Sequence, residues 1–577
     1  MGRSDPSGVG CIVLVTIVVL SMCAPTAAAG SGTATTELVV ESQDRIDDDG
    51  NLGSAEDSDD DNVYASIQAA VDAAPDGAEI NVTAGTYNES VVVDKPNLKL
   101  TGDTGGMSAG AAGNAPVLDS GNTETTAIKV MASADNVVIE GLQIKNYNTF
   151  GVYPEVGSRQ TADGITIRDN TVSNVYIATA ILSTEDDAVL KNVSVTNNDF
   201  TSVGFGVNMR GDTGVSDIED VDISDNTISG ASADGIQVWA STGIAEIRDV
   251  TVSGNTIDTV KRRGIELVLE GGSGDSSITS VDVVQNTVTN ARVGVDMRTP
   301  SGGDISSVDI YRNDLRNNKF GTRFESDTTN DIAVTHNVYE GNTNYAIRSI
   351  NEDLLVATDN WYGDASGPTI SSNPGGSGDA VSENVTYDPF LTRTVEVGDA
   401  AAPIGETATV DVTADAANVA GYELTVEFNE SALEVTDVAG ADLSDPTVDV
   451  DNENGVVSFT QAETSGSDEP TLARIDFNVT DAGESNVTVD NADSALFDVD
   501  GESISSVSYE KGVVENDEPG DGDVDGDGNV DAGDVVLLQR YIVGEDVDID
   551  TEAADVNGDG NVDAGDALLI QREIVDG

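Results

Sequence analysis

Two twelve-residue segments near the C-terminus carry oxygen-bearing side chains at the alternating positions that a calcium-binding loop uses. The first, DVDGDGNVDAGD, runs from Asp523 to Asp534, and the second, DVNGDGNVDAGD, runs from Asp555 to Asp566. A glycine in the middle of each segment allows a tight turn, and hard oxygen ligands in this number select Ca²⁺ over zinc or copper. The sequence therefore predicts two calcium sites, with Asn529 and Asn561 offering backbone carbonyls. The predicted ligands are Asp523, Asp525, Asp527, Asn529, Asp531 and Asp534 in the first loop and Asp555, Asn557, Asp559, Asn561, Asp563 and Asp566 in the second.

One helical run follows each loop, VVLLQRYIV in the first copy and ALLIQREIV in the second. A standard EF-hand has a helix on both sides of its loop and ends its ligand set on glutamate, whereas these loops end on Asp534 and Asp566. A loop with one helix, duplicated 32 residues apart, resembles a dockerin, which would occupy residues 523–577. Because the carboxylates repel one another without metal, we expect calcium binding and folding of this module to be coupled. The alternative is an acidic, solvated tail.

The dockerin resemblance also implies a partner surface. In that family the residues beside the last loop ligand and on the helices touch a cohesin. Both halves of the duplication carry the same Ala-Gly pair, so two equivalent faces would be available and would bind one at a time. The partner-binding residues expected on this basis are Ala532, Gly533 and Arg540 in the first half and Ala564, Gly565 and Arg572 in the second.

A phrase that reaches an asparagine recurs between Val137 and Tyr362, in forms such as ITIRDNTVSN, VDISDNTISG and VDIYRNDLRN. Within each copy apolar residues alternate with others, and no run is long enough for a helix, which excludes helical repeats. A coil of about 25 residues made of strands and turns is typical of a right-handed parallel β-helix. We expect the asparagines to take the left-handed geometry of a bend and to hydrogen-bond along a ladder. The predicted ladder consists of Asn170, Asn198, Asn226, Asn255, Asn286, Asn313, Asn337 and Asn360.

Both ends of the repeat have distinctive segments. Apolar residues between Val63 and Gly77 fall on one helical face, and short strands follow them. This order resembles the capped N-terminus of the pectin lyase-like β-helices. The segment from NWYGDASGPT to SENVTYDPFLT resembles the closing segment of NosD-like members, with Trp361, Tyr362, Pro389 and Phe390 covering the last coil. The resemblance spans residues 63–392. It implies the fold but no particular reaction, because the family includes lyases, hydrolases and esterases.

The second strand of each coil is the best candidate for a functional surface. It begins with glycine or alanine and an apolar residue, as in GVNMR, GIQVW and GIELV, and alternation places every second residue on the outer face. The resulting stripe is polar with one aromatic residue. It resembles the substrate groove of polysaccharide-active β-helices, where an indole stacks on sugar and arginine binds carboxylate or hydroxyl groups. The substrate-binding residues expected on this basis are Asn208, Arg210, Gln237 and Trp239.

Four further residues of this stripe are candidates for catalysis. Glu266 and Asp296 on successive coils would lie about 5 Å apart, a separation compatible with the carboxylate pair of a retaining glycosidase. Arg298 or Arg323 could instead serve as the base of a lyase. The alternative is that charges of opposite sign alternate down a solvated sheet. The NTD, GHG and RIK set of polygalacturonases and the QDT and DFIFG phrases of pectin methylesterases are missing. His336, the one histidine, is predicted to be a turn residue.

Residues 393–515 change to short alternating strands separated by glycine, asparagine and aspartate, which is typical of a β-sandwich. The phrases PIGETATVDV, GYELTVEFNESALEV and TLARIDFNV, in that order, resemble a cohesin module. A generic carbohydrate-binding or immunoglobulin-like sandwich is the alternative. The linker 516–522 reaches at most about 25 Å, so docking onto the cohesin of the same chain would be awkward. The expected fold is mainly β: a right-handed parallel β-helix solenoid, a cohesin-like sandwich and a small α-helical pair of calcium loops.

Acidic residues dominate the composition. The 577 residues include 105 Asp and Glu against 26 Lys and Arg, and the formal net charge of −79 is spread along the chain. Such a surface repels nucleic-acid phosphates and anionic membranes, so we expect neither as a partner. The composition resembles that of proteins from extreme halophiles, and calcium-rich surroundings are a second explanation.

Residues 1–29 have the features of a secretory signal: a basic start at Arg3, an apolar run from Val9 to Met22, and small residues up to Ala29. The run is short for a membrane span, and no second apolar run of about 20 residues follows, so no transmembrane segment is expected after cleavage. Both cysteines lie inside the signal, which leaves no thiol chemistry afterwards; lipidation at Cys23 is an alternative. The polar residues 30–62 are predicted to form an acidic, flexible lead.

Together these features indicate a secreted protein, extracellular or held at the cell surface, that takes part in a calcium-dependent cohesin–dockerin assembly. Its expected partners are cohesin or dockerin modules of other chains, including copies of itself, and polysaccharide bound by the β-helix. The alternative function is a polysaccharide lyase or O-glycosyl hydrolase that takes part in polysaccharide catabolism and is delivered by its dockerin. The missing catalytic phrases favour the binding protein.

Overall fold

A computed structural model describes most of the chain from residue 36 onward. The predicted signal peptide, nearly all of the acidic lead and most of the linker lie outside the described residues, as do Asp527 and Asp559 of the predicted calcium loops. The described residues are 36–41, 63–102, 115–212, 215–241, 244–270, 276–300, 304–325, 331–350, 354–481, 483–516, 522–526, 528–545, 547–557 and 561–576.

A parallel β-helix with three sheets forms the first part of the described chain, as the period-two repeats predict. Each complete coil contributes one strand to each sheet, and every strand pairs in parallel with its counterpart one coil away. The first sheet has 12 strands. They are Glu37–Val40, Val63–Tyr64, Glu79–Val82, Lys99–Gly102, Val137–Glu140, Thr161–Arg168, Ala188–Thr196, Val215–Ser224, Ile244–Ser253, Ser277–Val284, Asp304–Tyr311 and Ile332–Thr335.

The second and third sheets have ten strands each and follow the first sheet within every coil. The second sheet consists of Thr86–Tyr87, Val117–Asp119, Gln143–Lys145, Thr171–Ser173, Asp199–Thr201, Thr227–Ser229, Thr256–Asp258, Thr287–Thr289, Asp314–Arg316 and Val338–Glu340. The third sheet consists of Val91–Val93, Thr126–Met131, Phe150–Glu155, Ile177–Ser183, Phe205–Gly211, Ile236–Ala240, Arg263–Leu269, Val293–Arg298, Phe320–Glu325 and Tyr345–Ser349. The short strands Leu355–Val356 and Val385–Thr386 pair beyond them.

Part of the predicted flexible lead is instead a strand. Residues Glu37–Val40 pair in parallel with Glu79–Val82, at the start of the first sheet. Leu38 and Val40 point into the β-helix core with exposed fractions of 2% and 0%. Burial of two apolar side chains and the backbone ladder together explain why this short stretch departs from its polar surroundings.

A ladder of eight buried asparagines joins the coils, at the predicted positions. The Asn286 amide donates to the Val252 carbonyl at 2.8 Å and to Asn313 Oδ1 at 3.0 Å, while its own Oδ1 accepts from the Asn255 backbone and side chain. The same bonds recur from Asn170 to Asn360. One detail of the prediction is wrong. The left-handed residue of each bend precedes the ladder asparagine, as at His336, where φ is 58°. The side-chain amide of a ladder asparagine must point toward the neighbouring coils, whereas the residue before it supplies the left-handed backbone conformation of the bend.

Both ends of the β-helix are covered by apolar side chains, as the resemblance to capped β-helices implies. Helix α1, Ile67–Ala73, is capped by the Ser66 hydroxyl and buries Ile67 and Val71 against the core. At the other end Trp361 and Tyr362 are buried, and the Tyr362 ring stacks on Tyr339 with centroids 5.9 Å apart.

A β-sandwich of two sheets follows the β-helix. Its five-stranded sheet has the order Leu433–Gly440, Thr471–Val479, Thr407–Asp415, Thr394–Val397 and Ser508–Glu510. Its seven-stranded sheet has the order Ala400–Ala401, Gly512–Asn516, Gly483–Val489, Val419–Glu427, Val456–Ser467 and Thr447–Asp451, with Ala495–Phe497 paired beside Val419–Glu427. Side chains such as Val410, Leu424 and Phe477 fill the space between the sheets.

The Asp468 carboxylate of the sandwich forms hydrogen bonds across the junction with the β-helix. Asp468 accepts hydrogen bonds from the Arg312 guanidinium at 2.8 to 3.0 Å, from the Tyr311 hydroxyl, and from the Asn418 backbone at 2.8 Å. Burial alone would raise the pKa of Asp468, but these donors outweigh it and lower the pKa. His336 lies 4.0 Å from Asp468, so the predicted turn residue also lines this junction.

The last part of the described chain is helical. Helix α2 is Ala532–Ile542, α3 is Thr551–Ala554 and α4 is Ala564–Asp576. Val535, Leu538 and Ile570 form a small core between α2 and α4. None of the helices among the described residues is long and apolar enough to cross a membrane.

Replacing a central ladder residue, Asn286→Ala, is expected to lower the free energy of unfolding by about 2 to 4 kcal/mol, because it leaves the Val252 carbonyl and the neighbouring amides without their partner inside the core. Asn148→Ala is the matched control, since that exposed amide donates one bond to the Asn122 carbonyl. Thermal unfolding followed by circular dichroism measures both. Equal melting temperatures for the two variants would contradict the conclusion that the asparagine ladder stabilises the β-helix.

Candidate functional site

The first predicted calcium loop brings three carboxylates together. Oxygens of Asp523, Asp525 and Asp534 all lie within 4.8 Å of one another. Asp534 is buried; its Oδ1 accepts from the Asp525 amide at 3.1 Å and its Oδ2 from the Asp531 amide at 2.7 Å. Three carboxylates this close repel unless a cation lies between them, and oxygen donors suit Ca²⁺. The residues described here therefore fit a calcium ion held by this loop.

The second loop repeats the local geometry of the first. Asp566 is buried, with Oδ1 accepting from the Asn557 amide at 3.2 Å and Oδ2 from the Asp563 amide at 2.8 Å. Asp563 accepts from the Gly565 amide at 2.6 Å, as Asp531 does from Gly533. Asp527 and Asp559 lie outside the described residues, so the complete ligand sets remain predictions. The others, Asn529, Asp531, Asp555 and Asn561, lie in the same two loops.

The predicted partner-binding residues all lie on the surface. Exposed in both halves are Ala532, Gly533, Arg540, Ala564, Gly565 and Arg572. Sequence reasoning missed a set of apolar side chains beside them. Val536 in α2 and Leu568 in α4 occupy equivalent positions with exposed fractions of 56% and 65%, and Val543, directly after α2, is equivalent to Val575 in α4, with exposed fractions of 75% and 82%. The sequence contained this signal, because these residues are apolar but lie outside the apolar face that packs the helices together.

The predicted stripe on the third sheet forms two columns in register. Asn208, Gln237, Glu266, Asp296 and Arg323 follow one another coil by coil in the first column. Hydrogen bonds run along it: Asn208 donates to Gln237 at 2.6 Å, Gln237 to Glu266 at 2.5 Å, and Arg323 to Asp296 through two bonds of 2.8 Å. The structure thus brings the candidate residues together in the order that alternation predicts.

This first column is covered by its neighbours and is not a solvated surface. Glu266 and Asp296 have no exposed surface, and Asn208, Gln237 and Arg323 are each 6% exposed. The expected alternation of opposite charges is not present, since Glu266 pairs in register with Asp296; instead, arginines lie over these carboxylates and exclude water from them. Opposite charges in such surroundings attract more strongly than at a solvated surface, and their removal from water costs more.

The second column contains a cation stacked on the predicted sugar-binding indole. The Arg210 guanidinium carbon lies 3.9 Å from the centre of the Trp239 ring, in cation–π contact. That face of the indole is therefore taken by Arg210, and the next residue of the column, Val268, is buried. Arg298 follows, with Nε donating to Glu266 at 2.7 Å.

Asp234 and Arg263 complete the charged cluster, and sequence reasoning missed both. Asp234 is fully buried; its Oδ1 accepts from the Arg263 backbone amide at 3.0 Å, and its Oδ2 has no hydrogen-bond partner within the described part of the chain. The Arg263 side chain lies 2.6 Å from Asp296 and 3.2 Å from Glu266. Burial, and then the charge of Glu266, raise the pKa of Asp234 to about 6, against a partial offset from Arg262 and Arg263. The signal available in the sequence was their position: Asp234 directly precedes the glycine of GIQVW, and Arg263 directly precedes the glycine of GIELV.

Arg298 and Arg323 of the cluster stay protonated. Burial alone would lower the pKa of Arg298 and of Arg323, but the adjoining carboxylates, Glu266 and Asp296 above all, outweigh burial and raise both pKa values. A base must give up its proton near the working pH. The geometry therefore favours these arginines as charge partners over the lyase-base role predicted from sequence.

Three family models match successive parts of the chain. The model of the right-handed beta helix region matches residues 126–303, that of the cohesin domain matches residues 393–515, and that of the dockerin type I domain matches residues 521–575. The chain carries a β-helix, a cohesin domain and a dockerin domain, in that order. The predicted fold class and domain types are thereby confirmed. No curated protein matches the chain.

Solved cohesin structures match part of the chain at low identity. A non-cellulosomal cohesin from the archaeon Archaeoglobus fulgidus is 25% identical over 21% of this chain and 88% of its own, with a TM-score of 0.19. CaCohA2 from Clostridium acetobutylicum is 23% identical over 21% and 89%, with a TM-score of 0.20. The third ScaC cohesin from Acetivibrio cellulolyticus, solved with the ScaB dockerin, is 22% identical over 21% and 97%, with a TM-score of 0.20. At these TM-scores the structures add nothing to the family match.

The variant Asp234→Asn is expected to become more stable relative to wild type as the pH rises from about 4 to about 7. The folded-state pKa of about 6 lies above the ordinary value of 3.8. The stability contributed by protonated Asp234 is thus complete below the ordinary value and is lost as the pH rises through about 6, whereas asparagine stays neutral throughout. Melting temperatures of both proteins over this range give the difference. Asp437→Asn, at an exposed site of the cohesin domain, is the control. A difference that does not change with pH would contradict the raised pKa.

Proposed function

We propose that this protein is a component of an extracellular cohesin–dockerin assembly that forms in the presence of calcium. The observation that carries the proposal is the presence of both module types in one chain, at residues 393–515 and 521–575. A chain with a dockerin alone can only attach to a scaffold. A chain that also has a cohesin can accept another dockerin, so it can link partners, including further copies of itself. Head-to-tail linkage of this kind does not close on itself and extends into strings.

Calcium dependence is supported by the geometry of the dockerin loops. The carboxylates of Asp523, Asp525 and Asp534 converge within 4.8 Å, and the equivalent Asp566 is buried in the second loop. Calcium would neutralise these charges and allow α2 and α4 to pack through Leu538 and Ile570. The exposed apolar pairs of the two halves, Val536 with Leu568 and Val543 with Val575, would then lie on the surface offered to a cohesin.

The β-helix is the part of the protein that the assembly carries, and we propose that its third sheet binds polysaccharide. Aromatic and charged side chains share the outer face of that sheet, as at Phe150 and Tyr153, whose rings stack with centroids 4.7 Å apart, and at Trp239. Aromatic rings and arginines are the groups that bind sugar rings and their polar substituents. The signal sequence predicted at residues 1–29 is consistent with a polysaccharide outside the cell.

The second candidate function is cleavage of the bound polysaccharide, and one observation favours it. Asp234 and Glu266 lie in a single buried cluster, where burial and then the charge of Glu266 raise the pKa of Asp234 to about 6. A carboxyl group with a raised pKa is suited to the general-acid role of glycoside hydrolysis. New reducing or unsaturated ends that disappear in Glu266→Gln would establish this function in place of binding alone.

Calcium titration of the whole protein by isothermal calorimetry tests the assembly proposal at its metal sites. Two binding events are expected, with Asp534→Ala removing one and Asp566→Ala the other, because each aspartate is the buried end ligand of its loop. Helical ellipticity should fall on chelation in wild type. The control is Asp548→Ala, an exposed aspartate between the loops. Calcium binding that survives in the double variant would place the metal elsewhere and contradict the proposal.

A further inference from the structure

We propose that three cations along one edge of the third sheet, Arg262, Arg292 and Lys319, form a binding site for anionic polysaccharide, meaning sugar chains that bear carboxylate or sulfate groups. We call these three residues the cationic rim. The proposal rests on the polysaccharide-binding function proposed above and names the chemical class of the sugar.

The rim is a stack of like charges on successive coils. Arg263 pairs in register with Val293, and Val293 with Phe320, so the residues just before them, which make up the rim, also line up. Backbone bonds link the same positions, from Val293 to the Arg262 carbonyl and from Phe320 to the Arg292 carbonyl. Like charges placed directly opposite on neighbouring strands destabilise a sheet. Nothing in the packing of the coils requires three cations at this position.

The rim is exposed and only partly neutralised by the protein. All three residues are exposed, and the Arg262 guanidinium lies 3.6 Å from Asp234. Among the described residues, Arg292 and Lys319 have no ion-pair partner. Other basic side chains nearby, Arg263, Arg298 and Arg323, are bound to the buried carboxylates. The rim thus leaves positive charge available to a ligand.

Because the rest of the protein is strongly acidic, an anionic polymer is repelled from most of the surface and is attracted to the rim. With 26 basic residues against 105 acidic ones, the chain repels a polyanion over most of its surface. Three cations spaced by about 4.8 Å, one strand spacing, span about 10 Å. An evenly spaced row suits a polymer with repeating negative groups better than a small anion, which one residue could bind.

Aromatic groups along the same edge indicate sugar as the carrier of those negative groups. Tyr176 occupies the same column at an earlier coil and is 54% exposed, and its ring packs edge-on against Phe205 at 5.6 Å. Beside the rim, the half-buried Tyr345 ring stacks on the buried Phe320 ring with centroids 6.2 Å apart, and Lys319 lies 5.8 Å from the Phe320 ring. Accessible rings beside cations, here Tyr176 and Tyr345, bind sugar rings through stacking, while the cations bind the charged groups of the sugar through ion pairs.

Binding of alginate and of the neutral polymer dextran to the full-length protein, measured by calorimetry at the lowest salt that keeps the far-ultraviolet spectrum native, tests the proposal. Alginate is expected to bind and dextran not, with alginate affinity falling as salt rises because the ion pairs are screened. The variant R292Q/K319Q should bind alginate about tenfold more weakly. The charge-matched control R474Q/K145Q, which removes one arginine and one lysine far from the rim, should bind as wild type does.

The outcomes separate the two proposals. Equal binding of alginate and dextran would leave the polysaccharide surface in place and overturn its anionic class. Absence of binding to both polymers would overturn polysaccharide binding itself. Single-stranded DNA that binds as tightly as alginate would show that the rim selects charge without sugar, which also overturns the inference. If R292Q/K319Q fails to fold, the salt dependence in wild type decides, since a salt-independent affinity contradicts an ionic site.

Discussion

The coils of the β-helix must stay aligned residue by residue, and this requirement determines the positions of the other features of the structure. The ladder amides are buried, and each must find its partners one coil up and one coil down, as Asn286 does with Asn255 and Asn313. An unpaired amide in the core is costly, so coils that differ in length must absorb the difference elsewhere. Insertions accordingly fall outside the ladder, and residues at equivalent positions form straight columns. The buried charge cluster and the cationic rim both consist of such columns, so both depend on the coils being in register.

Pairing of a few arginines with carboxylates is a second feature on which the structure depends. A chain with net charge −79 places arginines where they cover buried carboxylates, as Arg263, Arg298 and Arg323 do around Glu266 and Asp296. The same chemistry joins the domains, because Arg312 holds Asp468 of the cohesin domain through three hydrogen bonds. A short carboxylate–arginine contact of this kind orients the cohesin domain relative to the β-helix, while the dockerin follows a separate linker.

Local patterns in the sequence predict the parts of this protein that depend on short-range geometry. Asparagine spacing and period-two alternation are enough to place the ladder and to align Asn208 with Gln237 and Glu266, because a parallel coil repeats the same register. The carboxylates of the first calcium loop converge because they lie within one short loop that turns tightly at its central glycine. The role of Arg210 could not be predicted, because its stacking on Trp239 depends on its rotamer and on the position that its ion pair with Asp212 gives the guanidinium. Burial of Asp234 and the contact of His336 with the cohesin domain likewise depend on packing between distant segments.

We propose that one chain both offers a cohesin and uses its dockerin to join other chains. The decisive measurement is sedimentation velocity of the full-length protein over a range of concentrations, with calcium and again with a chelator. We expect species heavier than one chain that grow with protein concentration in calcium and return to single chains on chelation. A single chain at every concentration, with no difference between calcium and chelator, would contradict it.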